Sequence, residues 1–166
     1  CLHLAVKENK PKIVSQLIGL NFDKNAKDNG GDTSLHIAVK DNNFKMVDQL
    51  IKAGVDLDKQ DNAGHAPLHI AVKDNNLKMV DQLIRAGADR TAKDHFGNTP
   101  LHVAVKNDNS KMVDLLKGLG ANRKVKNKAG FNLLHIAVKE DKPRIVHQLI
   151  SLGIAKNAQD QDGNTP

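Results

Sequence analysis

The stretch Asn98-Thr99-Pro100-Leu101-His102-Val103-Ala104 decides the fold, because its pattern returns along the chain at a constant interval. Leu-His pairs fall at Leu2-His3, Leu35-His36, Leu68-His69, Leu101-His102 and Leu134-His135, each 33 residues after the last. A strict period of this length marks an array of stacked supersecondary units, and it outweighs the prior that 166 residues make one ordinary compact domain. The units run approximately over residues 1–29, 30–62, 63–95, 96–128 and 129–161, with 162–166 opening another. Asn164-Thr165-Pro166 repeats the start of a unit and the chain lacks an initiator Met, so a piece of a longer protein is expected.

Within a unit, Leu35, Ile37, Ala38 and Val39 form one apolar segment and Met46, Val47, Leu50 and Ile51 a second. Spacings of three and four place each set on one face of a helix. Thr33 and Thr99 precede the first helix as N-caps, with Pro67 and Pro100 suited to its first turn. Asn43, Asn76 and Asn109 precede the second helix, and Pro11 and Pro143 open it in two other units. Gly54, Gly87, Gly120 and Gly153 end it, and Gly31, Gly64, Gly97, Gly130 and Gly163 mark a tight turn before the next unit. Helices this short are marginal alone. The apolar positions, with the small residues Ala38, Ala71 and Ala104, must therefore form one core shared between neighbouring units.

The Thr-Pro-Leu-His-x-Ala signature at 99–104, the 33-residue period and the ending Ala86-Gly87-Ala88-Asp89 together resemble the ankyrin repeat family over the whole chain. That resemblance implies an all-α repeat solenoid of stacked helix-turn-helix units with short β-hairpin fingers, whose fingers and first helices line a concave face that binds proteins. It also implies that the signature His is a buried structural group bonded to the Thr hydroxyl and to backbone. Departures are local. Ala66 removes the hydroxyl in the third unit, and Asn132-Leu133 replaces Thr-Pro in the fifth. In the fourth, Lys117 stands where Ile18, Ile51, Ile84 and Ile150 recur, beside Gly118 and Gly120, so its second helix is expected to be soft.

The net charge of +6 is not spread evenly. Residues 85–128 carry ten basic groups against four acids, which accounts for all of it. Lys7, Lys40, Lys73, Lys106 and Lys139 form a stripe, followed directly by Glu8, Asp41, Asp74, Asn107 and Glu140, which should partly balance it except in the fourth unit. Lys45, Lys78 and Lys111 lie three residues before Asp48, Asp81 and Asp114 and are expected to pair with them. Five evenly spaced histidines invite a metal reading, but units a helix width apart (about 8–10 Å) cannot share one ion. His65 and His69 are four apart, yet His65 belongs to the turn. No nucleophile elbow, phosphate loop or Ser-His-Asp constellation is present, so no catalytic site, metal or cofactor is expected.

Near-copied units diverge at the fingers: Asn29, Gly30 and Asp32; Asn62, Ala63 and His65; His95, Phe96 and Asn98; Lys128, Ala129 and Phe131. With four Phe and no Tyr or Trp in the chain, Phe96 and Phe131 beside the basic run Arg123-Lys124-Val125-Lys126-Asn127-Lys128 suggest contact anchors. The alternative is that each packs on its neighbouring finger. The expected reading surface comprises His65, Lys73, Lys93, His95, Phe96, Asn98, Lys106, Arg123, Lys124, Lys126, Lys128, Phe131 and Lys139. It would bind a protein partner through an acidic segment, without catalysis. Nucleic acid or an anionic surface is the second reading, and nonspecific, because Lys outnumbers Arg 21 to 4 and stacking aromatics are scarce. A spacer or targeting arm of a larger enzyme, effector or toxin is the third. The single Cys1 has no partner for a disulfide, which favours cytosol or nucleus, and bare apolar ends would favour end-to-end contact.

Overall fold

The computed structural model describes residues 1–20 and 22–166. Ten helices among them form five pairs: α1 (Leu2–Lys7) with α2 (Pro11–Gly19), α3 (Ser34–Lys40) with α4 (Phe44–Lys52), α5 (Pro67–Lys73) with α6 (Leu77–Arg85), α7 (Pro100–Lys106) with α8 (Ser110–Gly118), and α9 (Leu133–Lys139) with α10 (Pro143–Ser151). The odd-numbered helices pack side by side in sequence order, each also against the even-numbered helix of its own pair. None of the described helices is long and apolar enough to cross a membrane.

Helices of six to nine residues end almost as soon as they begin, so their termini carry much of the structure. Asn43, Asn76 and Asn109 accept from the backbone N–H of Met46, Met79 and Met112 at 3.0–3.1 Å. The same side chains donate across units, Asn43 to Asn9 at 2.9 Å, Asn76 to Asn42 at 2.6 Å, and Asn109 to Asn75. The turn inside each pair passes through a left-handed residue, Asn9, Asn42, Asn75, Asp108 or Asp141, with φ between 51° and 57°. Only short polar side chains and Gly adopt that conformation readily. α8 is as long as its counterparts, and Lys117 and Gly118 occupy its last two positions rather than its interior.

The histidine joins one unit to the next. Thr33 and His36 form a capping box in which imidazole replaces the usual carboxylate: His36 Nδ1 accepts the Thr33 N–H at 3.1 Å and lies 2.8 Å from its hydroxyl. With Nδ1 accepting, the ring proton sits on Nε2, which donates to the His65 carbonyl of the next finger at 2.9 Å. His69 repeats this with Asn98 at 3.0 Å, and His135 Nε2 lies 3.1 Å from the Asn164 carbonyl. Around these clamps runs one apolar cluster through all five pairs, with Leu35, Leu50, Leu68, Leu83, Leu101, Leu116, Leu134 and Leu149 almost wholly buried.

The fingers expected as short β-hairpins contain no strand among the described residues. Two backbone bonds close each one, Asp94 N–H to the Asn98 carbonyl and Gly97 N–H to the Asp94 carbonyl, both at 2.9 Å, for example, and the next residue is already an N-cap, leaving no length for a ladder. Neighbouring fingers lie very close. A Cβ on Gly97, where φ is +77°, would stand 2.6 Å from the Lys128 amide nitrogen, so both the backbone angle and the stacking demand glycine.

Two consequences are measurable. Ala66 has the extended backbone of Thr33 (φ −77°, ψ 160° against −82°, 168°) but no capping oxygen, so Ala66→Thr should stabilise the array by about 1 kcal/mol, raising Tm by about 2–4 °C. A melting curve without that rise would refute the capping account. Burial holds His36 and His69 below the ordinary imidazole pKa and His102 down at about 4. Their unfolded forms bind protons first as pH falls, so stability should be full above about pH 6.5 and fall towards pH 4, His102 alone accounting for about 3 kcal/mol. Urea midpoints that stay flat across that window would overturn it.

Candidate partner-binding groove

Each inner helix ends on a lysine, where the helix dipole favours a cation. The lysine stripe is not balanced as the sequence suggested. Lys40 pairs with Asp32, eight residues back, at 2.6 Å and not with the adjacent Asp41, because consecutive residues on a helix do not face each other. The position of Asp32 becomes His65, Asn98 and Phe131 in later units. Lys73, Lys106 and Lys139 accordingly have no carboxylate partner among the described residues. The outer pairing also differs. Asp48 binds Lys52 at 2.6 Å and Asp81 binds Arg85 at 2.8 Å, the i to i+4 direction that suits acid before base, leaving Lys45 and Lys78 without a carboxylate. Gly118 takes that slot in the fourth unit, and Asp114 accepts from Gln148 instead.

A residue type that the sequence reading passed over builds the fingers. Asp28, Asp61, Asp94, Asn127 and Asp160 each accept the backbone N–H groups two and four residues on, at 2.8–3.1 Å. Asn122 repeats the exchange at the finger base, accepting from Lys124 N–H as Asp89 does from Thr91 N–H. The signal was visible as a fixed acid position. In the fourth unit both sites carry the amide, which keeps the acceptor and discards the charge.

The basic run divides by contact. Arg123 donates to the Leu152 carbonyl at 2.9 Å, Lys126 to Gln159 at 2.7 Å and Lys93 to Lys126 at 3.3 Å, each tying its finger to the next unit. Bonding to a carbonyl leaves their charge unneutralised. The side chains of Lys124 and Lys128 are exposed and make no hydrogen bond or ion pair among the described residues.

His95, Phe96, Asn98, Lys106, Lys128, Phe131 and Lys139 come together around one pocket of about 390 Å³, completed chiefly by His102, Val103, Ile136 and Glu140. His65 and Lys73 line a smaller one of about 180 Å³ one unit earlier, while Lys93, Arg123, Lys124 and Lys126 line neither. Phe96 is 69% exposed. Phe131 is half-buried, unlike an exposed turn residue: it immediately precedes the N-cap Asn132 and lies over the helix start, stacked on His135 at 5.6 Å with Lys139 Nζ 5.0 Å from its ring centre. His65 and His69 rings stand 6.1 Å apart, and the one lone pair of His69 is already taken by the Ala66 N–H.

The pocket coincides with the break in the clamp series. His102 is 1% exposed, yet its Nε2 has no hydrogen-bond partner among the described residues. The Phe131 carbonyl, at the register position of its missing partner, is near enough to favour the charged ring electrostatically but lies outside bonding geometry. Desolvation dominates and keeps the imidazole neutral.

No curated protein matches the chain. Ankyrin repeats (3 copies), as a family model, match residues 2–94 and again residues 68–160. Those matches cover nearly the whole stack of helix pairs, and the chain belongs to the ankyrin repeat family, whose members are generally non-catalytic protein–protein interaction modules.

Proposed function

We propose that this array is a binding module that holds an acidic segment of a protein partner, without turnover, in the groove of its third to fifth units. The observation that carries this reading is the pocket where Lys106, Lys128 and Lys139 meet the exposed Phe96 and the half-buried Phe131. Glu140 is the single acid in its lining. Exposed lysines without carboxylate partners keep their attraction for an incoming acid, since no internal ion pair must first be broken. The amides at Asn122 and Asn127 support the same reading, because they remove negative charge from the fourth finger without altering its turn. Arg123, Lys124, Lys126 and Lys93 add long-range field along the fingers, favouring fast encounter with an acidic partner.

Charge reversal at Lys106 and Lys139 is the direct test, because both side chains are exposed and neither is paired with a carboxylate. Binding of a fluorescein-labelled oligoglutamate peptide at low salt should weaken about tenfold in the double variant. Wild-type affinity should decline as salt is added. Equal affinity of both proteins would remove the groove from the interaction. A single-stranded oligonucleotide bound more tightly than the peptide would favour nucleic acid instead.

A further inference from the structure

Three side chains around the pocket depart from their own repeat. Phe96 stands where other units carry Gly30, Ala63, Ala129 and Asp162, so only this finger carries an aromatic ring at that position. Phe131 replaces Asp32, His65, Asn98 and Asn164, and lines the same pocket. Val103 replaces Ile37, Ile70 and Ile136 and is one methylene shorter, which leaves more room in the lining at that point. All three exceptions line the same cavity.

We infer that this cavity is a socket for one large apolar side chain, aromatic or long aliphatic, of the protein segment bound in the groove. The inference rests on the proposed function and specifies which segment is read. Lys106 and Lys139 flank the socket on successive inner helices, about 10 Å apart by the usual spacing of packed helices. An extended chain covers that distance in about three residues. The recognised sequence is therefore an extended acidic stretch with one apolar anchor and carboxylates within three residues on each side. Lysine charge alone accepts any acidic chain, whereas the socket rejects those without the anchor, and that difference makes the site selective.

The chain contains neither Trp nor Tyr, so a tryptophan placed in a peptide reports only its own surroundings. A glutamate-rich peptide with a central Trp should bind about tenfold more tightly than the same peptide with Ala there, and its emission should shift to the blue. Phe96→Ala and Val103→Ile each install a residue that neighbouring units already carry at that position, so the fold is retained. Either change should lower affinity for the Trp peptide far more than for the Ala peptide, so that most of the gain from Trp is lost. Equal binding of the Trp and Ala peptides, emission that stays at the solvent-exposed wavelength, or variants that hold the Trp peptide undiminished would each overturn the socket and leave acidic recognition standing. Failure of both peptides to bind would remove the proposed function itself.

Discussion

The stacking of units depends on a buried imidazole that recurs from one to the next and must stay neutral. The imidazole of His36, and of His69 after it, caps its own helix through Nδ1 and reaches the next finger through Nε2. A single neutral side chain therefore sets where a helix starts and how the following unit sits upon it. The helices are too short to persist alone, so this junction and the leucine layers beside it are what make any of them stable. The clamp also imposes a condition, since a protonated ring would lose its acceptor and carry a charge into the core.

Because scaffold duties fall on so few positions, others are free to change. The finger aspartates need only an acceptor oxygen, so Asn127 serves as well as Asp94 while altering the charge. Finger tips need only give their N–H to that acceptor, so Phe96 makes the same 2.9 Å bond that Gly30 makes in the first finger. The groove between the third and fifth units collects several such changes: lost acids, two phenylalanines, a shortened valine and an unmade clamp at His102. Stacking brings together side chains one repeat apart in sequence, Lys106 with Lys139 for example, which is why changes scattered along the sequence meet at one surface.

The order of elements, their period and most of their termini were legible in the sequence, since Thr33, Asn43, Pro143 and the recurrent Gly residues state their backbone preferences locally. Charge partners were not. Adjacency suggested Lys40 with Asp41 and a spacing of three suggested Lys45 with Asp48, but helix geometry points the first pair apart and gives Asp48 to Lys52. The left-handed Asn42 and the ladder from Asn76 to Asn42 also escaped, because an asparagine before a helix reads as a cap whether or not it has a second partner.

The sequence by itself determined a repeating helical array with a basic region and two unusual phenylalanines, because period, capping and composition are properties of neighbouring residues. Only the tertiary structure decided that Phe96, Val103, Phe131, Lys106 and Lys139 surround one cavity, and that Arg123 and Lys126 tie units together beside it. Which lysines keep their charge unpaired depends on what each side chain can reach across a stacked unit. That reach is fixed by the separation of packed helices and fingers, a distance no single unit contains.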